Sequence, residues 1–425
     1  SHHLKRWWKK IIIQQEHVMK YLAKTSHNVV KLCFTSLTVL MAVIAIPACS
    51  STEIVRANST PPMIAKTQPP IDLYMDIGIM PLEPGIPEGE EALENSLIIP
   101  DVRRAEARYI AYQLKDTLEL TGNWGAVRVI PQFTEAVDIL ITGKILDSNG
   151  EELKLQVTVA DSTGQVWLSR TFTDTASKYS YEAPKEDPFQ DIYNDVANAI
   201  LIYRQKLGNT ELANIKQVSN LRYAIRLSPE AFGGYLTESK GSVQIEQLPA
   251  SNDQMLVRVN RIKEREYLFV DTLDDYYGNF FRDMKASYHE WRYATYDEAV
   301  AAKRLKKESM KRLIGGAAVV AAGVAASASK QSNTYASQAA GLGVVGGGIG
   351  LIKSGLSRRQ RAEVHENALK EISESLGAEI TPYVLDIEGR TIELTGTADV
   401  QYEEWREILK QIYIEETGLP ARKDR

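Results

Sequence analysis

The side chains best suited to chemistry are scarce in this chain. Its 425 residues include two cysteines, Cys33 and Cys49, and six histidines, four of them within the first 27 positions. The other two, His289 and His365, stand 76 positions apart, so neither a histidine-based triad nor a multi-histidine metal site is expected. Gly341-Leu342-Gly343-Val344-Val345-Gly346 fits GxGxxG, but that fingerprint needs a strand directly before it inside a βαβ unit. Here a polar bend and a small-residue arm precede it. Ser327-Ala328-Ser329-Lys330 fits SxxK without its SDN and KTG companions. Acidic residues number 55, and no convergent carboxylate pair stands out among them. The expectation is a protein that is not an enzyme, with no cofactor and no metal; a carboxylate-based enzyme is the alternative. With 44% apolar and 25% charged residues and a formal charge of −5, the composition is ordinary globular material and gives no reason to expect nucleic acid as a partner.

The amino terminus reads as an address. The chain opens on Ser1 and its first methionine is Met19; residues 1–18 are read as a mis-extended start. From Met19, a basic stretch with Lys20, Lys24 and Lys31 precedes the uncharged apolar run Leu32–Ile46, about 15 residues against the roughly 20 that span a bilayer. Ile46-Pro47-Ala48-Cys49 follows and resembles a bacterial lipobox, which implies cleavage between Ala48 and Cys49 and acylation of Cys49. Pro47 departs from the usual pattern. Acylation would occupy the one cysteine left after cleavage, so no disulfide, thiol nucleophile or cysteine-ligated metal is expected. The cut would remove seven Lys/Arg and one Glu and leave a charge near −11. Ser50-Ser51-Thr52 lacks the Asp that retains similar lipoproteins at the inner membrane, which implies the periplasmic face of the outer membrane. Membrane lipid, through the acylated Cys49, is therefore one expected partner.

The order of elements predicts an α+β multidomain chain. Residues 49–71, with Pro61, Pro62, Pro69 and Pro70, read as a flexible tether. Residues 72–205 read as a small α/β sandwich domain: a strand at Asp72–Met80, a helix over 101–120 with Asp101 as its cap, then strands at Ala126–Ile130, Asp138–Leu146, Leu153–Val159 and Gln165–Phe172. A helix carrying Ile192, Val196 and Ile200 completes it. Ile77-Gly78-Ile79-Met80-Pro81, Ala126–Pro131, Asp138–Gly143 and the turn Asp161–Gly164 resemble the domain shared by TolB's amino terminus, the curli-secretion lipoprotein and the lipoprotein activators of penicillin-binding proteins. That resemblance implies a binding or assembly platform.

Residues 206–312 read as helical. An amphipathic helix runs from about Met255 to Trp291, with a kink available at Gly278, and a second runs from Tyr296 to about Arg312. Residues 313–355 form two uncharged small-residue arms around a polar bend, a Gly-rich apolar hairpin carrying Gly315, Gly316, Gly323, Gly343, Gly346, Gly347 and Gly350. Gly343/Gly347 and Gly346/Gly350 give GxxxG spacing, which lets backbones pack closely. Lys306, Lys307, Lys311 and Arg312 flank one end, and Arg358 and Arg359 the other, a pattern suited to anionic head groups. The arms, about 24 and 21 Å as helices, suit partial insertion or packing on protein. Residues 356–425 read as a small αββα module. Ile387–Ala398 resembles the core of a BON domain, which implies attachment to envelope surfaces or partner proteins.

Together these readings point to an outer-membrane lipoprotein that acts as a scaffold for an unidentified periplasmic or outer-membrane protein. An oligomeric pore or secretion component, with this chain as a homo-oligomer, and an activator of peptidoglycan synthesis are the alternatives the resemblance brings.

Overall fold

A computed structural model describes residues 60–89, 98–182, 184–239, 241–250, 252–327, 366–371, 374, 383–387 and 390–418. The architecture is α+β and multidomain in class, built on one five-stranded sheet with two small hairpin sheets. The strands are β1 (Ile77–Ile79), β2 (Val127–Val129), β3 (Ile139–Ser148), β4 (Glu152–Asp161) and β5 (Val166–Thr175), in the order β2-β1-β3-β4-β5. The short central β1 pairs in parallel with β2 and β3, setting Ile77 opposite Ile139 and Ile79 opposite Ile141. All four are buried, the continuous apolar reading of a strand covered on both faces. β3, β4 and β5 form an antiparallel meander. Along β4 the alternation is direct: Leu153, Leu155, Val157 and Val159 are buried while Gln156 is exposed.

The helix α1 (Pro100–Leu120) connects β1 to β2 and packs Ala105, Ile110, Leu114 and Leu118 inward. Its start differs from the expected cap at Asp101. Pro100, with its fixed φ and missing N–H, opens the first turn, and Asp101 inside that turn pairs with Arg104 at 2.7 Å. Then come α2 (Lys178–Glu182), α3 (Gln190–Arg204), α4 (Asn209–Leu227) and α5 (Pro229–Phe232). The hairpin β6 (Leu236–Ser239) and β7 (Ser242–Ile245) follows them, an element the sequence reading lacked. This hairpin docks on the β4–β5 turn, where the Val243 N–H donates to the Thr163 carbonyl at 2.8 Å. The approach requires Gly164: its φ is +85°, and a Cβ there would lie 2.1 Å from the Gly241 carbonyl oxygen.

One 74-residue helix, α6 (Gln254–Ser327), replaces the two helices expected over 255–312. At 1.5 Å per residue it is about 110 Å long. Residues 291–296 contain no Gly or Pro to end it, and Gly278 does not break it. Gly278 instead lets Tyr112 of α1 approach, since a Cβ there would meet the Tyr112 hydroxyl at 2.6 Å. The expected apolar stripe of α6 is core. Val259, Ile262, Phe269, Leu273, Phe280, Met284, Tyr288 and Trp291 are all buried.

Near the carboxy terminus, residues 366–371 are helical. The hairpin β8 (Tyr383–Ile387) and β9 (Arg390–Leu394) leads to α7 (Ala398–Thr417). Thr397 caps α7 through its hydroxyl, and Gly418, with φ +66°, closes it. Phe269 of α6 lies between Tyr383, Tyr402 and Trp405, with ring centroids 5.0, 6.3 and 5.8 Å away. Full burial of such a ring stabilises by about 2–3 kcal/mol. One apolar cluster thus reaches from Ala65 to Tyr413, and a second, with Val102, Ala105, Tyr109, Phe281 and Met284, joins α1 to the middle of α6.

Candidate functional site

The residues expected to meet the membrane fall into two groups. Ala48, Cys49, Gly343, Gly346, Gly347, Gly350, Arg358 and Arg359 lie outside the described residues. Gly315, Gly316, Gly323, Lys306, Lys307, Lys311 and Arg312 lie on the final part of α6, with Lys307 exposed. The first expected arm, from Leu313, is thus a direct continuation of the core helix as far as Ser327. Lys303 ties that helix to the β3–β4 turn, with its ammonium 2.9 Å from Glu151 and 3.5 Å from Glu152. The 24 residues beyond Lys303 add about 36 Å of helix. Among the described residues no helix is long and apolar enough to cross a membrane.

At the other end, the second half of the expected tether is fastened down. The Thr60 N–H donates to Asp191 at 2.6 Å, the Met63 N–H to Asn198 at 2.7 Å and the Ala65 N–H to Asn123 at 2.9 Å. Asn194, Asn198 and Asn123 donate in return to the carbonyls of Thr60, Pro61 and Met63 at 2.8, 3.0 and 2.9 Å. Arg204 adds bonds to Gln68 and to the Asn123 carbonyl. A proline-containing segment cannot supply a full strand ladder, so amide side chains take its place. The signal was present in the sequence as Asp191, Asn194 and Asn198, at three- and four-residue steps along α3.

Buried ion networks hold α6 against the rest. Glu266 is fully buried and accepts from Thr134, Tyr223 and Tyr402 at 2.8, 2.8 and 2.7 Å, with Arg226 at 2.9 Å. One carboxylate thereby joins α4, α6, α7 and the loop between β2 and β3. Farther along, Arg292 makes two bonds to Asp187, at 3.1 and 2.8 Å. Burial alone would push Asp187 up, but the Arg292 guanidinium outweighs it and holds the carboxyl below its usual range. Glu106 accepts from Ser148 and Tyr288 at 2.7 Å each and pairs with Arg103 at 2.8 Å. His289 faces the Tyr181 carbonyl at 3.2 Å. His365 lies outside the described residues.

A polar cleft of about 290 Å³ lies at the amino-terminal ends of β1 and β3, between α4 and α6. Asp138 accepts from the Asp76 N–H and from Lys216, each at 3.0 Å. Asp76 accepts from the Ala126 N–H at 2.9 Å, and Lys263 donates to Asn220 at 2.8 Å. Burial pushes the Lys263 amine down, against the pull of Asp138 and Asp76. A depressed lysine in a cleft has the makings of a base or nucleophile. Here Asp76 and Asp138 are each committed to backbone or lysine partners, and the arrangement locks the sheet to two helices. Among the described residues, no group of three or more His, Cys, Asp or Glu is placed to hold a metal ion. Compared with family models, with curated proteins and with solved structures, the chain finds no match in any of the three.

Proposed function

We propose that this protein is a lipid-anchored scaffold of the bacterial outer membrane, held at its periplasmic face through Cys49 and presenting its α+β body to a protein partner. The observation that carries the reading is the continuity of α6. The helix that forms the core against α1, α4 and α7 runs on without a break into the small-residue segment behind Lys306–Arg312. A body built this way transmits position rigidly to whatever its distal helix touches. Stable anchoring usually takes more than one chain or signal, and an acylated Cys49 together with the distal part of α6 is compatible with that. The buried ion networks suit a rigid platform, because their acids and bases are engaged with one another.

Mass spectrometry of the protein extracted from its own membranes tests the reading. The expected product begins at residue 49 with acyl chains on that cysteine, and Cys49→Ser is expected to accumulate uncut at precursor mass. A wild-type product with a free thiol at position 49 in the soluble fraction would overturn it.

A further inference from the structure

A smaller cavity of about 180 Å³ opens beside the polar cleft, between the loop after β2, the surface of β3 and β4, and α4. Its apolar wall is Phe133, Val137, Leu140, Ala160 and Gly164, and Arg222 of α4 lines it as a half-buried cation. The β6–β7 hairpin, docked on Thr163, sits at the Gly164 end. Three carboxylates also line the space, and each is already satisfied. Glu135 holds Arg406 at 2.9 Å and Arg226 at 3.3 Å. Asp138 holds Lys216 at 3.0 Å. Asp161 accepts the Trp167 indole N–H at 2.6 Å and the Thr163 N–H at 2.8 Å. Among the described residues the Arg222 guanidinium has neither a hydrogen-bond nor an ion-pair partner. It is the one charge in the cavity without a counterpart.

We propose that this cavity is a binding site for a compact aliphatic carboxylate, with the carboxylate forked on Arg222 and the alkyl body between Phe133, Val137, Leu140 and Ala160. The planar guanidinium matches a carboxylate in two parallel bonds. The apolar part of the wall favours a ligand whose body beside the carboxylate is hydrocarbon. A cavity of about 150 Å³ accepts benzene, so this one takes a body of about six carbons. A free short-chain acid and the terminal leucine of a peptide share that chemistry.

The full chain, titrated by calorimetry and ligand-observed NMR, distinguishes them. Sodium hexanoate and N-acetyl-leucine are the probes, and 1-hexanol and N-acetyl-leucinamide are their uncharged counterparts. Saturable binding with a Kd of about 1 mM or tighter is expected for at least one acid, with its uncharged counterpart at least tenfold weaker. Arg222→Gln is expected to lose at least tenfold in affinity with an unchanged unfolding temperature, and Ala160→Leu, which fills the space, to lose binding while Arg222 remains. Tighter binding of N-acetyl-leucine would assign the site to peptide termini, and tighter binding of hexanoate to free acids. No saturable binding of either acid, equal binding of the uncharged counterparts, or wild-type affinity in Arg222→Gln would overturn the proposal.

Discussion

Asp174 shows how a single side chain can serve the fold and strain it at once. It stands one residue before the end of β5, where its carboxylate accepts the Thr175 N–H at 2.7 Å beside the first turn of α3. Burial, reinforced by Asp191 and Asp195, outweighs that bond and pushes its carboxyl up to about 6. A carboxyl raised on folding contributes stability that is complete below its unfolded pKa, near 4, and is lost as pH rises through 6. Asp174→Asn keeps an acceptor oxygen and removes the charge. It is expected to stabilise the protein by about 1–2 kcal/mol at pH 8 and to have no effect near pH 4. Urea unfolding at the two pH values checks this, and a destabilised variant at pH 8 would contradict it. Nothing in the local sequence announces this arrangement, because Asp174 and the acids that act on it, Asp191 and Asp195, belong to different elements.

Among elements, α6 sets the terms. Gly278 was readable as a helix weakness, since Gly costs about 1 kcal/mol relative to Ala in a helix. Its reason is across the interface, where Tyr112 fills the space a Cβ would take. Gly278→Ala is therefore expected to lower the unfolding temperature despite the better propensity. Gly278→Ala combined with Tyr112→Phe is expected to recover it, as a thermal-melt cycle would show. The elements most legible in the sequence were those with a strict period, such as β4 and the apolar stripe of α6, because burial on one face imposes the period. The meander and its turns were likewise readable from Asp147–Gly150 and Asp161–Gly164. The β6–β7 hairpin escaped, having four-residue strands with Val243 as their one fully buried side chain. Glu266 and Arg292 sat in plain view on an apolar helix face, yet their partners lie up to 136 residues away. Periodicity marks a face as buried without naming what meets it. The Arg222 cavity was illegible for the same reason, since its wall comes from β3, β4, α4 and a loop.

For the whole molecule, the proposed membrane contact makes a prediction about charge. Protein beginning at Ser50, which carries neither the leader nor an acylated cysteine, is expected to float with vesicles rich in anionic phospholipid and to remain unbound with zwitterionic ones. Replacing Lys306, Lys307, Lys311 and Arg312 with Gln should weaken that flotation, each lost charge near the surface costing about 1 kcal/mol. Equal flotation with both vesicle types would point to insertion without head-group attraction. The amide stitching of Thr60–Gln68 has a further consequence if Cys49 is the anchor. Only eleven residue steps separate Cys49 from Thr60, a leash whose contour cannot exceed about 40 Å. A body confined to a hemisphere of that radius has a local concentration on the order of 10 mM. Contacts far too feeble to survive purification would then be occupied most of the time at the bilayer surface.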